Sequence, residues 1–296
     1  MEEKALALKG NDQNELVGHV RQAENDHQVV TMWLHGRPAT TQRAYSYEVQ
    51  GLLAIIGKPL AQITLGELQG FFSGLESLAP ASRARAVNAV KSLFKFAQRI
   101  GYLQFNPAAA ILSPKIKNTL AERILSESDV HRLLAMESHP RNRVLLRLLY
   151  AAGLRVSEAC GLKWRDVVER ESAGQITVYG KGGKTRVVLL SLETWVELIS
   201  LKGEGGADDP VFASRKGKGH LHPSQMKRIV TTAAERAGVE GQVSPHWLRH
   251  AHASHALDRG APIHLVQATL GHASVATTGK YLHARPEDSS ARYLGV

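Results

Sequence analysis

The stretch Gln175-Ile176-Thr177-Val178-Tyr179-Gly180-Lys181-Gly182-Gly183-Lys184-Thr185-Arg186-Val187-Val188-Leu189-Leu190 sets the fold class. Two runs rich in β-branched residues flank a loop of glycine and lysine, the pattern of a β-hairpin with a longer connection. On both sides of it the periodicity is helical. Upstream, Ser126-Glu127-Ser128-Asp129 is a capping signature that opens a helix through Leu134. An apolar helix follows from Val144 to Ala152 and stops at Gly153, and another runs from Ser157 into Leu162. Downstream, the chain from Leu192 onward reads as helices. This half is therefore mainly α with one small antiparallel β-sheet.

Further towards the N-terminus the reading is helical throughout. Thr40 and Thr41 are candidate caps for a helix carrying Tyr45, Val49, Leu52 and Leu53 on one face. Thr64 caps a second helix with Leu65, Leu68, Phe71 and Phe72. Ser82 caps a third, with Val87, Val90, Leu93, Phe94, Ala97 and Ile100 at core spacing and Gly101 as its stop. Lys91, Lys95 and Arg99 form a basic stripe on that third helix. A stripe of this kind is either a solvated face or a surface laid against phosphates. Residues 1–28 are polar and weakly patterned, a loose N-terminal arm with room for one short helix. Asn106-Pro107 and Ser113-Pro114 break the helical pattern, and the linker between two domains is placed at 113–122. The expected division is an arm at 1–28, a helical domain at 29–112, the linker, and a second domain at 123–296.

Composition narrows the function. The 296 residues carry 37 Lys and Arg against 27 Asp and Glu, a net charge of +10. The excess is spread over both halves, since residues 1–120 hold 13 against 9 and the rest 24 against 18. Such a balance suits an anionic partner such as nucleic acid. A lone cysteine, Cys160, excludes an internal disulfide and a cysteine-based zinc site. No signal peptide and no membrane-spanning run are legible, so a soluble, cytoplasmic, nucleoid-associated protein is expected.

Chemistry concentrates in four short stretches. In Gly153-Leu154-Arg155-Val156-Ser157-Glu158 a glycine ends one helix and another begins at once, which places Arg155 at a junction with Glu158 three residues on. Alone, this pair reads equally as a surface ion pair of little energetic weight. Lys181, on the glycine-rich hairpin loop, is positioned either to reach a phosphate or to sit in solvent. Ser244-Pro245-His246-Trp247-Leu248-Arg249-His250 opens a helix with His246 and Arg249 on one face near an end that favours anions. His246 and His250 have a metal-ligand spacing. No Glu follows the first His, however, and Arg249 sets a fixed positive charge between them, so no metal is assigned. The last stretch is Leu270-Gly271-His272 with Thr277-Thr278-Gly279-Lys280-Tyr281.

Two Arg, two His, a Lys and a Tyr make a coherent set. Paired guanidiniums grip the non-bridging oxygens of a phosphate and stabilise a pentacoordinate transition state without a metal. A tyrosine hydroxyl can attack phosphorus once a histidine takes or shares its proton.

In order and spacing, these segments resemble the tyrosine recombinase (phage integrase) family, with Xer-type recombinases nearest in style. The resemblance covers residues 122–283 closely and the helical part before them loosely. It implies a two-domain clamp on DNA, with a helical core-binding domain followed by a catalytic domain. It implies that Arg155 and Arg249 bind the phosphate, Lys181 protonates the 5′-oxygen and His246 acts as general acid/base. His272 would hydrogen-bond the scissile phosphate and Glu158 would support the site. Tyr281 would form a 3′-phosphotyrosyl link, with Lys91, Lys95 and Arg99 contacting DNA. Neither ATP nor a metal nor any other cofactor is implied. The partners would be double-stranded DNA with a specific core site and a homo-tetramer on paired sites, or a hetero-tetramer with a related recombinase. No membrane partner is implied. The activity would be integration or excision, or dimer resolution, through a four-way junction. His252 stands where such relatives often carry an aromatic residue. Tyr293 is a second tyrosine at the wrong spacing, within a tail that relatives dock on a neighbour. A type IB topoisomerase-like enzyme and a non-catalytic DNA-binding regulator are the competing readings.

Overall fold

The computed structural model describes residues 22–116, 119–180, 183–214 and 219–282. The chain divides into two compact units, residues 1–117 and 118–296.

The first unit is helical: α1 (Asp26–Leu34), α2 (Ala39–Ile56), α3 (Leu65–Ser73) and α4 (Pro80–Arg99). α1 begins inside the stretch read as a loose arm. Asn25 caps it by accepting from the Gln28 N–H, and Asp26 accepts from the Leu60 N–H and the Tyr102 hydroxyl. Val29 and Trp33 then drop into a core with Leu52, Leu60, Leu68, Leu93 and Phe94. The arm boundary is thus corrected to before Asn25, and residues 1–21 lie outside the described part. Thr64 caps α3 with a full capping box to Glu67. The other two expected caps are displaced. α2 starts at Ala39 behind Pro38, and α4 starts with Pro80 as its first residue, so Thr40, Thr41 and Ser82 lie within helices. Proline, with its preset φ and missing N–H, overrides a hydroxyl two residues later as the start signal.

The second unit surrounds a small sheet. α5 (Glu127–Ala135) is capped by Ser126, as its sequence predicts. α6 (Pro140–Ala151) starts four residues before the expected Val144, again at a proline, and α7 (Val156–Gly161) follows directly. β1 (Val167–Arg170), β2 (Ala173–Tyr179) and β3 (Thr185–Leu190) form an antiparallel sheet in that order, with Val167 opposite Ile176 and Tyr179 opposite Thr185. β1 is the strand that sequence reading missed. Its turn, Glu171-Ser172, contains no Gly or Asn, and Glu171 itself adopts φ 54°. α8 (Leu192–Ile199) packs on β2, and α9 (Pro223–Arg236), α10 (Pro245–Asp258), α11 (Ile263–Leu270) and α12 (Val275–Gly279) complete the unit. The described residues between α8 and α9 are not helical, contrary to expectation. They carry isolated bridges, Lys163 to Pro210 and Ala213 to His220.

The core of this unit is α6 against α10. Leu145, Leu146, Leu148 and Leu149 meet Leu248 and Ala251, and Ile176, Val178, Val188 and Leu190 close it from the sheet. The protein is thus mostly helical with a three-stranded antiparallel sheet. No helix among the described residues is long and apolar enough to cross a membrane.

Candidate active site

The site is built on the carboxyl end of α11. That helix stops at Gly271, whose φ of 63° turns the chain away and leaves the last carbonyls without helical partners. Three consecutive carbonyls there each receive an arginine. Arg186 Nε donates to Thr269 O at 2.6 Å, Arg249 Nη2 to Leu270 O at 2.5 Å and Arg155 Nη2 to Gly271 O at 3.3 Å. A helix carboxyl end carries partial negative charge, which offsets the mutual repulsion of the guanidiniums.

Each arginine is anchored a second time. Arg249, on α10, is almost fully buried and donates Nη1 to the carbonyl of Gly153, where α6 ends. Burial and then Arg155 push its guanidinium down to about 10, so it stays charged at neutral pH. Arg155 caps α7, and its side chain and backbone N–H both donate to Glu158 at 2.8 Å. Arg186 donates Nη1 and Nη2 to the two oxygens of Glu158 at 2.9 and 2.8 Å. Glu158 is buried, which raises its carboxyl, but Arg186 and the Arg155 backbone and side chain outweigh that and hold it near about 2. A carboxylate thus sits between two of the three cations.

Tight packing requires the glycines here. A Cβ on Gly153, which has φ 57°, would lie 2.6 Å from Leu270 Cδ2, and one on Gly271 would lie 3.2 Å from Arg186 Nη1. The backbone turns at the ends of α6 and α11 are therefore open only to glycine.

The tyrosine lies one short helix further on. Gly271 is followed by His272, whose Nδ1 pairs with the buried Thr278 hydroxyl of α12 at 2.9 Å. α12 delivers Tyr281, 5% exposed, into a small apolar cluster of Ile124, Ala253, Val266 and Leu270. Its ring lies parallel to His272, with centroids 6.4 Å apart and an interplanar angle of 6°. Its hydroxyl is 2.7 Å from His250 Nδ1, and His250 in turn stacks on His246 with centroids 6.2 Å apart.

Burial first, then neighbouring positive charge, keeps these imidazoles neutral. His250 and His272 are lowered to about 4, and His246 is lowered as well. Burial raises the Tyr281 hydroxyl, an effect opposed by Arg249. His252 lies against Gly153, and His255 pairs with the Tyr150 hydroxyl.

The fold brings together Arg155, Glu158, Arg249 and His272 around the α11 terminus, with Tyr281, His250 and His246 in a line of ring contacts leading from His272. Lys181, Tyr293 and the tail from Arg285 lie outside the described residues. Lys95 and Arg99 are exposed on α4. Lys91 differs from them. Its ammonium donates to the carbonyls of Ala109 (3.5 Å) and Ile111, so it ties down the segment after α4.

Two residues of the site escaped the sequence reading. Arg186 shares strand parity with buried Val188 and Leu190, and a charge in the inward row of a strand was the available signal. For His250 the sequence offers only the metal-ligand spacing to His246.

The model of the phage integrase family matches residues 123–288. The chain is 30% identical over 264 residues to a tyrosine recombinase of Thermosipho africanus, spanning 84% of this chain and 90% of that protein. It is 35% identical over 238 residues to tyrosine recombinase XerC of Myxococcus xanthus, spanning 74% and 77%. The fold is similar to that of a lambda integrase dimer bound to a COC′ core site, with TM-score 0.71 and 21% identity over 90% of this chain and 79% of that one. The same integrase as a tetramer bound to a Holliday junction gives TM-score 0.71 and 20% identity over 90% and 80%. With its arginines gathered on one helix end and its tyrosine hydroxyl on a histidine, the chain belongs to the phage integrase family, the tyrosine recombinases, enzymes of site-specific DNA strand transfer.

Proposed function

We propose that the chain cuts one DNA strand at a specific core site by attack of the Tyr281 oxygen on phosphorus, forming a 3′-phosphotyrosyl bond as the bond to the 5′-oxygen breaks. The observation that carries this reading is the convergence of three guanidiniums on the end of α11, immediately before His272 and one short helix from Tyr281. Arg155 and Arg249 hold the non-bridging oxygens and offset the added charge of the transition state. Arg155 is the accessible member, with a third of its side chain exposed. His272 hydrogen-bonds the phosphate, and His246 stands at the general acid/base position that the resemblance implies, stacked on His250. Lys181 protonates the departing 5′-oxygen. Glu158 keeps Arg155 oriented. A 5′-hydroxyl from a second duplex then reverses the step, so bond energy is conserved and no ATP or metal is consumed.

The arrangement at larger scale is part of the proposal. The helical unit before the linker at 113–122 acts as a core-binding domain, and the two units clamp the duplex. Lys95 and Arg99 contact phosphates. Four protomers, of this chain or of this chain with a related recombinase, work on paired cytoplasmic sites through a four-way junction. A similar fold solved as a tetramer on a Holliday junction supports this reading. The recombinases of Thermosipho africanus and Myxococcus xanthus, as relatives, favour strand exchange over simple nicking and closing.

Covalent capture tests the proposal. The protein is expressed in a bacterial host, recovered in strong detergent without crosslinker, and the attached DNA is sequenced beside a Tyr281→Phe control. DNA attached to the wild type alone, with ends at a shared motif, is the expected result and reveals the site. Attachment to Tyr281→Phe at the wild-type level would overturn the assignment. Scattered ends would favour the topoisomerase-like reading.

A further inference from the structure

We infer that His250, rather than the more exposed His246, is the group that takes the proton from Tyr281 during cleavage and returns it during rejoining. The inference rests on the assignment of Tyr281 as nucleophile. Its basis is contact. His250 Nδ1 is 2.7 Å from the Tyr281 oxygen, within the reach a base requires. His246 meets this pair through its stack on His250.

Relative acidity assigns the tautomer. A phenol is the stronger acid of the two, so its O–H donates and Nδ1 accepts, which places the ring proton on Nε2. Both rings are fixed. Tyr281 is wedged among Ile124, Ala253, Val266 and Leu270, with His272 parallel to its face. His250 is held on α10 one residue after buried Arg249 and lies between His246 and Tyr281. A donor and acceptor held in place at both ends need no reorganisation when the substrate arrives.

Electrostatics supply the timing. Before DNA binds, burial first, then His246 and the charges of Arg123 and Arg249, keep His250 neutral and therefore able to accept. A phosphodiester bound by Arg155 and Arg249 brings negative charge into the site and reduces that penalty on an imidazolium. The proton passes from the Tyr281 oxygen to Nδ1 as the oxygen–phosphorus bond forms. The bond from phosphorus to the 5′-oxygen breaks, and that oxygen is protonated by a separate acid. In rejoining, the new 5′-hydroxyl gives its proton to the conjugate base of that acid as it attacks, and His250 gives its own proton back to the departing phenolate. Atoms and charge balance over the cycle.

The test uses the full-length protein on a nicked duplex carrying the site recovered by covalent capture. The duplex is made in two forms, one with an ordinary phosphodiester and one with a 5′-bridging sulfur. The sulfur departs without an acid, so it rescues loss of an acid and does not rescue loss of the base. His250→Ala should slow covalent attachment about 100-fold or more on both duplexes, in the range of a lost general base, with DNA affinity and thermal melting unchanged. His250→Asn keeps an acceptor near the Nδ1 position but cannot hold the proton, and should remain as slow as His250→Ala. Recovery by His250→Asn would overturn proton transfer and leave orientation alone. Rescue of His250→Ala by the sulfur duplex would make His250 an acid and also overturn the inference. So would wild-type cleavage by His250→Ala while Tyr281→Phe is inactive. Cleavage by Tyr281→Phe would instead remove the underlying assignment, which separates the two failures.

Discussion

Glu158 and Arg186 show how much one pair of side chains can carry. Glu158 is 7% exposed, and its oxygens accept from two guanidiniums and one backbone N–H. Arg186 links this carboxylate to the end of α11 with two contacts, beside the single side-chain contact that Arg155 makes. Removing it leaves a buried anion with half its partners. Arg186→Ala should therefore cost about 3 kcal/mol of stability, as breaking a buried pair does, measured by urea unfolding. Arg186→Lys should recover little, because an ammonium cannot make the two-point contact. The pair acts on the site through Arg155, whose side chain shares the Glu158 Oε1 oxygen with Arg186. A single turnover of DNA cleavage by Arg186→Ala should fall as Arg155 loses its orientation, even where binding persists.

Elements are positioned by their ends, and glycines within and after helices are unequal. Gly51 lies inside α2 with open space where a Cβ would stand, so Gly51→Ala should stabilise the first unit by about 0.5–1 kcal/mol in a denaturant titration. Gly153→Ala is the opposite case. A left-handed φ and a 2.6 Å approach to Leu270 Cδ2 combine, and the expected loss is roughly 2–3 kcal/mol. The same substitution pushes on α11, whose terminal carbonyls hold the arginines. Strand-transfer activity should therefore fall at temperatures where the variant is still folded. α4 presents a similar contrast along its basic stripe. Lys91 bonds to the chain after the helix, whereas Lys95 and Arg99 are exposed. Lys95→Ala and Arg99→Ala should each lower the slope of log affinity against log salt by about 1, measured by DNA titration at several salt concentrations. Lys91→Ala should cost the unit about 1.5 kcal/mol for a lost charged hydrogen bond, read as a lower melting temperature.

Across the whole molecule, the acid response is lopsided. The histidines held below their ordinary value, His246, His250, His252 and His272, all lie in the second unit, together with Glu158. For His250, His252 and His272 the folded value of about 4 lies below the unfolded 6.5. Between these values the unfolded chain binds more protons, so stability rises with pH across that window and falls as pH drops through it. Glu158, at about 2 against 4.5, adds a further loss at lower pH. In the first unit, the described acidic group with a comparable shift is Glu67, which is partly exposed and lies at the surface of α3. Thermal melting followed from pH 7 to pH 4 should therefore lower the transition of the second unit well before that of the first. Equal displacement of both transitions would contradict this assignment.

What the amino-acid sequence determined by itself is local. Capping at Thr64 and Ser126, the hairpin of β2 and β3, the Ser244-Pro245 start of α10 and the glycine stops at Gly153 and Gly271 are all written within a few residues, because each depends on backbone geometry a few bonds away. The order of the motifs carried the family for the same reason. Where two local signals competed, as with Pro80 and Ser82, the backbone constraint of proline prevailed over a hydroxyl. Tertiary structure alone decided which groups meet. Arg186 is 83 residues from Thr269, Arg155 is 116 from Gly271 and His250 is 31 from Tyr281. Nothing in the periodicity of a helix or strand specifies such contacts. They follow from how the ends of α6, α10 and α11 pack, and that packing is set by burial of apolar faces far larger than the site itself. Tyr281 received its histidine partner, and Glu158 its second arginine, only when those faces closed.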